Sequence, residues 1–140
     1  MKLIKIIISL LLIFTTSNLL AKNNYFSEGE NLYKDKKFEK AKFKFEQDIV
    51  LNPKSEKSYL YLSRIFNIQE KKDLEEQNLK TVILLNPRNE EAIFNLAKLN
   101  LAKSDYIESQ KLIDKLLIFC NNYCEKSKQL KTEIENSLNK

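Results

Sequence analysis

At 140 residues, with 43% apolar and 31% charged residues, one Gly and two Pro, the chain has the composition of one globular domain and lacks the turn residues that an all-β fold or a phosphate-cradling loop needs. Histidine is absent, which excludes histidine-based catalysis and removes the commonest metal ligand. The net charge of +5 comes from 24 basic and 19 acidic residues interspersed along the chain, and Arg64 and Arg88 are the only arginines, so the surface is alternating and solvated, without the one-sided stripe that nucleic acid requires.

The chain opens with a short positive start (MKLIK), followed by the apolar run Ile6 to Phe14, broken by one Ser, and then by the polar Thr15-Thr16-Ser17-Asn18. This layout predicts a secretory signal peptide over residues 1–21, cleaved after Ala21. Leu19 stands where a small residue suits the cleavage site better, which makes Thr15/Ser17 a second candidate. The alternative is an uncleaved anchor, because Leu3 to Leu20 reaches the length a bilayer needs if the polar stretch is tolerated. The expected location is therefore exported, periplasmic or extracellular, or else membrane-anchored with membrane contact only through residues 1–21.

From Lys22 onward the chain repeats itself every 34 residues. The triplet Leu51-Asn52-Pro53 returns as Leu85-Asn86-Pro87, and three rows align as 22–55, 56–89 and 90–123. Tyr25, Tyr59 and Ile93 open the first helix of each row. A small residue follows as Gly29, Ser63 and Ala97, where a neighbouring helix can approach closely. Leu32 and Phe66 share a column that Asn100 breaks, with Leu99 and Leu101 beside it. The second helix repeats Phe45, Leu79 and Ile113, then Ile49, Ile83 and Leu117, then Leu51, Leu85 and Phe119. Spacings of three and four are the amphipathic-helix period, and polar punctuation falls midway through each row, at Lys34-Asp35-Lys36, Gln69 to Asp73 and Ser104-Asp105. Each row predicts a helix, a turn and a helix, a unit that must stack on its neighbours to bury its apolar face.

The pattern Tyr25, Glu28, Gly29, Leu32, Ala41, Phe45, Pro53 in the first row resembles the tetratricopeptide repeat family, and the third row (NEEAIFNLAKLNLAKSDYIESQKLI) is closer still. The resemblance spans about residues 22–123 and implies an all-α, right-handed solenoid of three hairpins. Departures are Glu28 for an apolar residue, Glu75 and Ser109 for Ala, and Asn121 for the final Pro. A charge at position 75 predicts that the second turn shifts by a residue and lets Leu74 face inward. Residues 122–140, with Tyr123, Leu130, Ile134 and Leu138 on one side, predict a capping helix that closes the exposed end.

Cys120 and Cys124 are the only cysteines. In an exported chain an even count favours a disulfide, which would staple the cap to the array; the alternative is a pair of reduced bystander thiols. Two sulfurs without His make no zinc site, so neither metal nor cofactor is expected. The pairs Glu75-Glu76 and Glu90-Glu91 diverge by about 100° around a helix. They read as solvated faces, with Glu90 and Glu91 suited to a helix N-terminus.

The resemblance also implies that the first helices line a concave groove that holds peptide segments of partner proteins. By alignment the groove residues are Phe26, Glu30 and Tyr33, then Leu60, Arg64 and Asn67, then Phe94, Lys98 and Leu101. Phe26, Leu60 and Phe94 would form an apolar ladder flanked by Arg64 and Lys98, suited to an apolar peptide carrying acidic groups; alternatively, some of them pack between hairpins. Phe26 and Glu30 disfavour the clamp with which some family members grip a chaperone's terminal carboxylate. The expected function is a non-enzymatic protein-protein interaction adaptor of the cell envelope, with a membrane-tethered structural subunit as the alternative.

Overall fold

The computed structural model describes residues 24–139. The expected signal peptide or anchor and both cleavage candidates lie outside them. Among the described residues there are seven helices and no strand: α1 (Tyr25–Lys34), α2 (Phe38–Leu51), α3 (Glu56–Ile68), α4 (Lys72–Leu85), α5 (Glu90–Ala102), α6 (Tyr106–Leu117) and α7 (Cys124–Leu138). Each helix packs on the next in chain order, and α7 also reaches back to α5. The result is an all-α solenoid of three antiparallel hairpins closed by a final helix.

The 34-residue period is written in the backbone. Helices α2, α4 and α6 start at 38, 72 and 106, and α3 and α5 start at 56 and 90. Every intra-hairpin turn places one residue in the left-handed region, Lys36 (φ 58°), Glu70 (φ 57°) and Ser104 (φ 61°). In each case the next N–H, of Lys37, Lys71 or Asp105, donates to the carbonyl of Leu32, Phe66 or Asn100 at 2.9 Å. Glycine ordinarily fills this helix-ending motif; a side chain there costs about 1–2 kcal/mol, which the stacked hairpins offset.

Small residues and large ones interlock at equivalent places. Gly29, Ser63 and Ala97 are buried. A Cβ on Gly29 would lie 2.6 Å from Cε1 of Phe45, so only the missing side chain lets α1 and α2 approach this closely. Ser63 tolerates its site by donating to the Leu60 carbonyl at 2.7 Å. Glu28, the charged departure in the first row, is exposed and pairs with Lys44 at 2.7 Å.

The expected shift of the second turn does not occur. Leu74 is 40% exposed, and Glu75, with 5% exposure, occupies the buried position held by Ala41 and Ser109 in the other hairpins. Slipping the register would break the Lys71 N–H bond to Phe66 and the Glu75 N–H bond to Lys71 that start α4. Retaining the turn costs less than relocating the charge. Leu138 is likewise more exposed than expected of the capping face, which consists of Ser127, Leu130 and Ile134.

At the C-terminal end α6 stops at Leu117, two residues earlier than its counterparts, and Cys120 is joined to Cys124 by a disulfide. Glu90 stabilises this turn. Its carboxylate accepts the N–H groups of Asn121 (2.8 Å), Asn122 (2.9 Å) and Tyr123 (2.9 Å). Partial desolvation works against the charged form, but the amides of Asn121, Tyr123 and Asn122 outweigh it, and the Glu90 pKa lies below the ordinary carboxylate value. Glu56, one repeat earlier, accepts instead from the side-chain amides of Asn86 (3.0 Å) and Asn89 (2.6 Å).

Candidate functional site

Helices α1, α3 and α5 stand side by side, and their open face carries a cavity of about 580 Å³ lined by Tyr33, Arg64, Asn67, Glu75, Asn95 and Lys98, among others. The period places these side chains. Tyr33 and Asn67 occupy one repeat position, and Arg64 and Lys98 another, so polar groups from successive helices converge on one hollow.

The nine groove candidates divide into two groups. Tyr33, Arg64, Asn67 and Lys98 line the cavity. Phe26 packs on the first core cluster, with ring centroids 5.9 Å from Phe45 and 5.8 Å from Tyr61. Leu60 packs on Leu79, Val82, Ala92 and Leu96, while Phe94 and Leu101 pack on the cluster around Ile113, and Phe94 also meets Tyr123 at 5.3 Å. Glu30 accepts a hydrogen bond from the Tyr61 hydroxyl at 2.8 Å. The apolar ladder is thus half-buried between hairpins, and the floor left open is mixed, with Arg64, Asn67, Asn95 and Lys98 beside Tyr33, Ile68 and Leu99.

Two carboxylates shape that floor. Arg64 donates from Nε and Nη2 to both oxygens of Glu91 at 2.6 Å, a bidentate pair that holds the guanidinium in place, 4.7 Å over the Tyr61 ring. Glu91 is therefore committed to a partner and is not merely a solvated end of α5. Glu75 is not a solvated side chain either. Burial pushes its carboxyl above the ordinary value, opposed by the Asn67 amide, which donates at 3.0 and 3.1 Å, and by the fields of Lys98 and Lys72. Glu76, its neighbour, turns away and pairs with Lys80 (2.6 Å) and Lys103 (2.7 Å). Lys98 is exposed and, like Lys72, which also lines the hollow, makes no ion pair among the described residues, so both are available cations there.

Glu75 and Glu91 escaped the sequence reading because their partners are not at helical spacing: Asn67 lies across a turn, and Arg64 is 27 residues away. A charge in a column of small residues was the one local signal for Glu75. Among the described residues no group of three or more metal-binding side chains converges, and no helix is long and apolar enough to cross a membrane.

No family model matches the sequence, and no curated protein does. Solved structures match the fold. The first tetratricopeptide-repeat domain of Spaghetti (RPAP3), bound to the HSP90 peptide SRMEEVD, superposes with a TM-score of 0.73 at 15% identity, covering 83% of this chain and 91% of that one. The Arabidopsis OM64 tetratricopeptide-repeat domain gives 0.71 at 19% identity, covering 85% and 98%. The Yersinia enterocolitica type III secretion chaperone SycD, in complex with a peptide of the translocator YopD, gives 0.65 at 21% identity, covering 82% and 87%. At these identities the likeness defines the architecture: a tetratricopeptide-repeat-like solenoid.

Proposed function

We propose that the protein is a non-enzymatic adaptor that holds an extended segment of another protein against its concave face. The observation that carries this reading is the cavity itself: three first helices leave a hollow of about 580 Å³ that no side chain among the described residues fills. Two of the similar structures hold peptides of other proteins. Because Phe26, Leu60 and Phe94 are engaged in packing, the captured segment is recognised by polar groups: an acidic side chain of the partner meets Lys98, while Asn67 and Asn95 hydrogen-bond its backbone. The leader over residues 1–21 supports a place for this activity in the cell envelope.

A photo-crosslinking side chain at Asn67 or Asn95 tests the reading in the producing cells. One discrete cross-linked partner is expected from these two sites and none from Phe43 on the outer face of α2, and Lys98→Glu should reduce the yield by about tenfold. Equal cross-linking from Phe43, or none from the groove, overturns it.

A further inference from the structure

Glu75 stands in a column of small side chains, and packing gives a carboxyl no task there. Ala41 fills the equivalent place in the first hairpin, and in the third Ser109 fills it by donating to the Ala97 carbonyl at 2.7 Å. Glu75 is only 5% exposed, yet it makes no ion pair among the described residues, and burial disfavours its charge. It also lines the hollow. A side chain that lowers stability in the wall of a cavity fits a role in binding better than one in the core.

Its capacity to accept hydrogen bonds is not filled. An ionised carboxylate offers about four acceptor sites. One nitrogen, Nδ2 of Asn67, serves both oxygens, at 3.0 and 3.1 Å, while Lys98 and Lys72 act on the carboxylate through their fields alone.

The charges facing the hollow decide what can approach this acceptor. Arg64 is neutralised by its bidentate pair with Glu91, and Glu76 is turned onto Lys80 and Lys103. That leaves the exposed Lys72 and Lys98 against Glu75 and the exposed Glu70, all four lining the same hollow. An acidic side chain brought to Glu75 would be repelled by its carboxylate, and a cation there would be repelled by the two lysines. A neutral donor meets neither. A primary carboxamide supplies N–H groups for the carboxylate and an oxygen for an ammonium.

We infer that Glu75 selects the captured segment: the hollow takes an acidic side chain on Lys98 and, two residues along, a Gln or Asn whose amide donates to Glu75 and whose oxygen accepts from Lys72. Side chains two apart in an extended segment lie on one face. The inference rests on the adaptor reading and narrows its partner to a segment that pairs an acid with a carboxamide, as opposed to a run of acids.

Fluorescently labelled peptides of Ala and Gly test it, each carrying one Asp and, two positions on, Gln, Asp, Lys or Ala; they are titrated at neutral pH against the full chain and followed by anisotropy. The Gln peptide should bind about tenfold more tightly than the other three. Glu75→Gln, and Glu75→Ala, which gives the column its small residue, should abolish that preference with helix content unchanged. Both variants should also bind the peptide with two Asp about tenfold more tightly than the native chain does. Tightest binding of the Lys peptide, or a Gln preference that survives both substitutions, overturns the inference. Peptides that bind alike and are all weakened by Lys98→Glu overturn it too, but leave the adaptor reading standing. If no peptide binds, the inference falls, and cross-linking at Asn67 and Asn95 decides the adaptor reading separately.

Discussion

The first hairpin and the third follow one plan with different materials. Helix α1 buries only Gly29, whereas α5 buries Ala92, Ile93, Leu96, Ala97, Leu99 and Asn100. Around the first hairpin the packing is aromatic: Phe45 stacks on Tyr61 at 4.8 Å, and Tyr61 meets Tyr33 edge-on at 5.1 Å. Around the third it is aliphatic, with Ile93, Ile113, Leu116 and Ile134 each fully buried. The reason is position. The third hairpin has a neighbour on both flanks, α4 and α7, while the first is packed among the described residues on one flank only. In a stack of hairpins stability comes from shared interfaces, so the plan is the same and the stability is not.

The sharpest way to break this comparison is to empty the same column in both hairpins. Ile113→Ala should cost about 2–5 kcal/mol locally and Phe45→Ala about 3–5 kcal/mol. Followed by native-state hydrogen exchange, Ile113→Ala should lower protection throughout the array, and Phe45→Ala should release α1 and α2 while the amides of α5 and α7 stay protected. Matching losses everywhere would show one cooperative unit and erase the distinction between the ends.

Replacing Cys120 and Cys124 together by Ser is the next largest effect. A loop this short should yield about 2 kcal/mol in the chain-entropy model, read as a lower denaturant midpoint. The lost protection should appear in α7 first. Loss spread evenly to α1 would contradict a locally acting staple.

The middle hairpin supplies the smallest test, because it alone puts a carboxyl in the buried small-residue column. The folded pKa of Glu75 is raised above the unfolded 4.5, so the folded state holds this proton more tightly. Its stabilising contribution is complete below pH 4.5 and is lost as pH rises through the folded value. Glu75→Gln should therefore be more stable than the native chain at neutral pH, by on the order of 1 kcal/mol, and the two should converge in acid. Thermal melts across that range check it; a pH-independent difference would place the effect in packing instead.

Much of the architecture was legible because a period is a strong signal. Helix starts, hairpin turns and the close-approach column of Gly29, Ser63 and Ala97 all follow from spacing within and between rows. The candidate site was legible only in part. Helical periodicity shows which residues share a face, but the line between groove and hairpin interface is one residue wide: Phe26, Leu60 and Phe94 fall on the packed side of it, and Arg64, Asn67 and Lys98 on the open side. The burial of Glu75 was misread because the energetic preference for an intact turn is invisible in a list of side chains.

The amino-acid order alone determined the repeat, its length and its all-helical class, because each of these depends on contacts within a few residues or on identical units meeting identically. Tertiary structure alone decided which charges are spent, Glu91 on Arg64 and Glu90 on the closing turn, and which are left without an ion pair among the described residues, as Lys98 is. Those pairings join residues 27 to 33 positions apart, and their energy depends on distances between side chains that only the stacked hairpins set.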